Sequence, residues 1–183
     1  MTAAAPPDIG QLKSRELPQL EFPGDAGTAF RIFIDAKVHE QVHAHANEDT
    51  SVEICGVLVG RWGRDAKGPF VLVTAAIRGE SASNKLAEVT FTHDTWSKIN
   101  QRMDKEFSNR SIVGWYHTHP DFGIFLSERD NFINEHFFND PGQIALVIDP
   151  VREREGIFFW SGGKRPFPRL VRFDSTGKRV NAR

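Results

Sequence analysis

The stretch Val113-Gly114-Trp115-Tyr116-His117-Thr118-His119-Pro120, followed by Ser127 and Asp130, decides how this chain is read. Val113 to Tyr116 has the apolar, aromatic character of a buried strand. Side chains alternate along a strand, so His117 and His119 face the same way and are close enough to share one ion. Ser127 and Asp130 lie beyond a glycine-containing turn and open a helical pattern, which returns an anionic oxygen toward the two imidazoles. Two His nitrogens and one carboxylate leave a fourth position for water, the pattern of a catalytic rather than a structural zinc site. A Ser with an acid three residues on is also an ordinary helix start, so Ser127 and Asp130 alone carry little.

Hydrolysis at such a centre needs a carboxylate that is not a ligand to move protons. Glu53 is the candidate, in Ser51-Val52-Glu53-Ile54-Cys55-Gly56-Val57-Leu58-Val59-Gly60. A charge at the head of an apolar strand is costly without a partner. The plain alternative is a solvated Glu at a strand start.

Outward from these two segments, hydrophobic period and turn residues place the other elements. Strands are expected over Phe30–Ile34, Ile54–Trp62, Phe70–Ile77, Val89–Thr92, Ser111–His117, Ile144–Ile148, Gly156–Trp160 and Leu170–Phe173. Gly63, Gly68 and Pro69 make the second and third a hairpin. Helices are expected over Ala36–Glu48, from a cap at Asp94 to about Ser108, and over Ser127–Phe138, the last with Phe132, Ile133, His136 and Phe137 on one side. Strands dominate, so the class is α+β, a mixed sheet flanked by a few helices.

The 183 residues suit one domain, expected over 28–175, with a flexible leader over 1–27 and a flexible tail over 176–183. A net charge of −1 gives no bulk electrostatic case for nucleic acid or a membrane surface. The single cysteine, Cys55, allows no internal disulfide and sits in an apolar strand, where a small core residue is expected rather than a nucleophile. No apolar run approaches the ~20 residues of a membrane span, and the start lacks the regions of a signal peptide. A cytoplasmic protein is expected.

A second motif competes. His39-Glu40-Gln41-Val42-His43 matches H-E-x-x-H, which on a helix puts both histidines on one face. The extension that would add a third His fails, and a third ligand from Glu53, Glu80 or Glu88 would have to come from a strand or loop. Val38 and Val42 read as the buried stripe, leaving His39 and Glu40 solvated. His45 is expected to pack at the helix end, and His93 and His136 have no ligand-like spacing.

V-E-I-C-G-V-L-V-G, followed by V-G-W-Y-H-T-H-P-D-F-G-I-F-L-S-E-R-D, closely resembles the JAMM (MPN-plus, or JAB) metalloproteases, among them deubiquitinases, a deneddylase and many bacterial relatives. The resemblance runs from about Phe30 to about Trp160. It implies an MPN/JAB-like, cytidine-deaminase-like sheet. It implies one Zn2+ held by His117, His119 and Asp130, Glu53 as general acid/base, and Ser127 as the hydroxyl that stabilises the tetrahedral oxyanion. No position of the motif is missing, unlike in the inactive relatives that serve as scaffolds.

The resemblance further implies hydrolysis after the C-terminal Gly of ubiquitin or a ubiquitin-like protein. The tail of that protein would add as a strand beside the site. The matching segment is about Arg78 to Val89, where Gly79, Ser81, Ala82 and Ser83 would line a narrow tail; an ordinary surface loop is the alternative. Phe122 is expected to wall the groove, and Phe125 to wall it or fill core. The short link between the Ser127 helix and Ile144 lacks the family's second insertion, which implies one zinc and weak linkage selectivity. The small single-domain form resembles bacterial members encoded beside ubiquitin-like, activating and conjugating proteins in antiphage operons. Other readings are processing of a sulfur-carrier ubiquitin-like protein, a general or cell-wall metallopeptidase, and a non-catalytic interaction module.

Overall fold

The strand that carries His117 lies inside the sheet, as its unbroken apolar run requires. The computed structural model describes residues 30–63, 68–80, 91–140 and 142–159, together with the backbone of residues 20–22, 64–65, 172–173 and 179–180. The strands are β1 (Leu20–Phe22), β2 (Arg31–Ile34), β3 (Cys55–Asp65), β4 (Gly68–Arg78), β5 (Ser111–Thr118), β6 (Ile144–Asp149), β7 (Arg154–Phe159), β8 (Arg172–Phe173) and β9 (Arg179–Val180). The helices are α1 (Ala36–Ala46), α2 (His93–Glu106) and α3 (Glu128–Phe137).

Strands β1 to β7 form one mixed sheet in the order β1-β2-β4-β3-β5-β6-β7, and β8 pairs with β9. The β2/β4 and β5/β6 pairs are parallel and the others antiparallel. The fold is α+β, as the sequence leads one to expect. The segment 20–22, inside the expected leader, pairs with β2; the rest of residues 1–27, and of 176–183 all but β9, lie outside the described residues.

The two faces bury separate cores. Val38, Val42 and Ala46 of α1 pack with Ile34, Leu58, Tyr116, Leu146, Ile148, Ile157 and Phe159. On the other face Ile99 of α2 and Ile133 of α3 pack with Val57, Trp115, Val147 and Phe158. Each such Ile, Leu, Val or Phe contributes on the order of 1.5–3 kcal/mol relative to exposure. The register of β3 against β5 shifts between Leu58 and Val59, leaving Val113 without a pair. This bulge turns Val113 toward α1 while Trp115 and His117 face α2 and α3. A side chain at Gly114 would collide with the Ile144 carbonyl, so glycine permits the β5/β6 approach.

Parallel strands need a crossover, and α3 supplies the one between β5 and β6. Its first turn therefore returns over the carboxyl end of β5, where His117 and His119 are. Local signals fix the helix starts. Asp35 caps α1 and Ser127 caps α3. α2 is capped by Thr92, not Asp94, because the Thr92 side chain accepts from Thr95 N; Asp94 lies in the first turn and pairs with Lys98. Phe132 and Phe137 are exposed on α3, so its buried side is Asp130, Ile133 and Asn134 instead of the expected aromatic stripe. Among the described residues no helix is long and apolar enough to cross a membrane.

Candidate metal centre

His117 and His119 are both buried and on one face of β5 and its extension, with ring centroids 4.7 Å apart. Asp130, at the third position of α3, brings Oδ2 to 3.3 Å from His117 Nε2 and 3.2 Å from His119 Nε2. Donor atoms around a tetrahedral ion with ~2.0–2.1 Å bonds lie about 3.3 Å apart. The spacing therefore fits a shared divalent ion. Among the described residues, both ring nitrogens of His117, and Nδ1 of His119, are buried without a hydrogen-bond partner. Orphaned groups of that kind cost about 1–3 kcal/mol each, and a cation in contact with Nε2 would relieve part of that.

The electrostatics favour the ligand forms. Burial pushes the His117 imidazole below its ordinary value, keeping it neutral with a lone pair to donate. Burial pushes the Asp130 carboxyl up, but the His117 and His119 imidazoles and the Ser127 hydroxyl outweigh it and hold Asp130 well below the usual carboxylate range.

Glu53 precedes β3 and reaches across β5, with Oε1 4.0 Å from His119 Nε2 and a side chain 24% exposed. Two bonds fix that approach: Ile54 N donates to Thr118 Oγ1 at 2.8 Å and Thr118 N donates to Ile54 O at 2.9 Å. The residue after Glu53 is thus tied to the residue between the two histidines. Ser127 is a helix cap and also touches the centre. Its Oγ accepts from Asp130 N at 3.2 Å and donates to Asp130 Oδ2 at 2.7 Å, while Ser127 N donates to the same oxygen at 2.7 Å.

Several supporting residues gave no sequence signal. Asn134 Oδ1 accepts from Trp115 Nε1 at 2.7 Å in the interior, and the indole stacks on His117. His119 N donates to Ile148 O at 2.8 Å. The turn beyond it uses positive φ at Asp121 (64°) and Gly123 (88°). Asp149 holds that turn, accepting from the backbone N–H of Asp121, Gly123, Val151 and Arg152.

The residues expected to bind substrate are placed unevenly. Gly79 continues the β3/β4 pairing, donating to Cys55 O at 2.8 Å, and a side chain there would press on Cys55 Sγ. Ser81, Ala82 and Ser83, with the rest of 81–90, lie outside the described residues. Phe122 is 71% exposed, whereas the Phe125 ring lies 4.6 Å from the His119 ring. Cys55 is buried, and desolvation, with Glu53 nearby, pushes its thiol up to about 12, which suits a core residue and not a nucleophile.

The H-E-x-x-H helix departs from expectation at one residue. Val38 and Val42 are the buried stripe, but His39 is only partly solvated: with His43 it closes on Glu155 of β7. His45 packs at the helix end with Nδ1 2.7 Å from the Tyr116 hydroxyl.

A family model described as JAB1/Mov34/MPN/PAD-1 ubiquitin protease matches residues 28–140. The chain belongs to the JAB family. Subunit 5 of the COP9 signalosome complex from Caenorhabditis elegans is 30% identical over 127 residues, covering 68% of this chain and 33% of that protein. The 26S proteasome regulatory subunit rpn11 of Schizosaccharomyces pombe is 27% identical over 127 residues, covering 68% of this JAB chain and 40% of that one. The match thus spans well under half of either relative. The solution structure of protein DSY2949 from Desulfitobacterium hafniense has the same fold, with a TM-score of 0.50 at 23% identity over 70% of this chain and 84% of that one.

Proposed function

We propose that this JAB-family chain is a zinc-dependent isopeptidase that cuts the amide bond after the C-terminal glycine of ubiquitin or a ubiquitin-like protein. The observation that carries the reading is the convergence of His117 Nε2, His119 Nε2 and Asp130 Oδ2, with Glu53 Oε1 4.0 Å from His119 Nε2. Three protein ligands beside a carboxylate that is not one of them form a hydrolytic set.

A zinc ion held by those three residues would supply Lewis acidity and a water that ionises near neutral pH. Glu53 accepts a proton from the attacking water on a carboxylate oxygen and passes it to the nitrogen of the departing amine. Its partial exposure leaves it reachable by both. Ser127 keeps its bond from Asp130 N and turns its own O–H toward the developing oxyanion. His117 is immobilised by its stack on Trp115, and His119 by its backbone bond to Ile148, so the ligands need little reorganisation.

The substrate class is supported by the family description, which names a ubiquitin protease, and by relatives named as proteasome and signalosome subunits. The tail would run along the 78–89 segment with its small residues nearest the site. One catalytic zinc, a cytoplasmic location and a bacterial ubiquitin-like antiphage pathway, with cognate activating and conjugating enzymes, complete the reading.

The test pairs metal with cleavage. The chain, loaded with zinc, is incubated with a ubiquitin-like protein fused through its terminal Gly to a reporter. Release of the reporter by wild type, and neither release nor zinc at this centre for His119→Ala, is expected. Cleavage of short unrelated peptides with the fusion left intact points to a general peptidase, and full release by His119→Ala with no zinc at this centre overturns the reading.

A further inference from the structure

The His39, His43 and Glu155 cluster lies on the opposite face of the sheet from the first centre. His39 and His43 are one helical turn apart on α1, with ring centroids 4.4 Å apart. Glu155 stands on β7, the outermost strand of the large sheet, on the same side as Ile157 and Phe159, which pack with Val38 and Val42. Its residue is only 4% exposed. His39 Nε2 lies 3.0 and 2.8 Å from its two carboxylate oxygens, and His43 Nε2 lies 2.6 Å from Oε2.

We infer that His39, His43 and Glu155 form a second divalent-cation site, suited to zinc, that clips α1 to the edge strand β7. One donor atom from each residue lies within 4.8 Å of the others. Two imidazole nitrogens and a carboxylate oxygen suit zinc or a neighbouring first-row metal. The present spacings are hydrogen-bond lengths, roughly half an ångström or more shorter than the ~3.3 Å between donors around a tetrahedral ion. The two rings stand on the solvent side, 23% and 33% exposed, and can open by that amount.

The site is not a second peptidase. Glu40, the base of an H-E-x-x-H enzyme, is exposed and one residue round the helix from His39. Glu155 is instead the cross-strand partner of Ile148, whose carbonyl fixes the His119 backbone. A cation here therefore stiffens the edge of the sheet that holds a ligand of the first centre. It adds a second ion to the one expected from the sequence.

Equilibrium dialysis of the full chain against zinc chloride, and against cobalt chloride for its visible bands, tests this. Wild type is expected to hold two equivalents, and His119→Ala, His39→Ala/His43→Ala and Glu155→Gln one each. Zinc should raise the melting temperature of His119→Ala but not of His119→Ala/Glu155→Gln. Glu155→Gln keeps the shape of the side chain, so it serves if the double histidine variant does not fold. No zinc in His119→Ala overturns the site and leaves an imidazole–carboxylate ion pair, as do two equivalents in Glu155→Gln. A single wild-type equivalent, lost in His119→Ala and kept in Glu155→Gln, defeats this site while leaving the His117 centre standing.

Discussion

The Trp115 indole lies face to face with the His117 imidazole, ring centroids 4.2 Å apart and planes 13° from parallel, and Asn134 holds that indole by its N–H. The ring of this candidate ligand is thereby oriented by a side chain 17 positions away in the sequence. Asn134→Leu should leave the buried indole N–H unsatisfied, lowering stability by about 1–3 kcal/mol. Zinc affinity should fall ~10–100-fold, as when the support of a metal ligand is lost. Thermal melts and zinc titrations measure the two effects.

Asp149 predicts the acid limb of stability. Burial pushes its carboxyl up, but four backbone N–H donors outweigh that and hold it below its ordinary value. A depressed carboxylate contributes stability that is complete above the unfolded value of about 3.9 and is lost as pH falls through the lower folded value. Denaturant unfolding should thus show stability falling below about pH 4, and Asp149→Asn should flatten that limb while lowering the plateau.

Ser127 serves both as cap and as proposed oxyanion donor, and substitution separates the two. Ser127→Asn retains a good N-cap, so melting should change little, yet hydrolysis should fall ~10²-fold or more. Ser127→Ala should lose activity and about 1 kcal/mol of helix stability together. Melting curves and rates on the same preparations distinguish them.

What the sequence made legible is local or periodic. Strand alternation put His117 and His119 on one face, and the Ser127–Asp130 spacing gave the capping turn that carries the acid back. Glu155 was hidden because it meets His43 across 112 positions, and a glutamate early in a strand carries no mark of its partner. His39 therefore read as solvated. The Thr92 cap was hidden because Asp94, two residues on, is an equally good capping type. Asp149 gave no signal because its role is set by a turn with positive φ at Asp121, which residue type alone does not dictate.

The tail-threading reading predicts a steric limit on substrate. A ubiquitin-like fusion with its native Gly-ended tail should be cut, and one with a bulky residue at the penultimate Gly should be cut at least ~10-fold more slowly, because an extended tail must pass close to the metal. Equal rates for the two fusions, followed by gel, would refute threading.

The central claim, that Glu53 moves the proton while His117, His119 and Asp130 only hold the ion, is tested most directly on Glu53→Gln. Zinc content and fusion hydrolysis are measured on the same preparation. The account predicts a full zinc equivalent at the His117 centre, unchanged melting, and hydrolysis lowered by ~10² or more. Hydrolysis at the wild-type rate with zinc retained would contradict it.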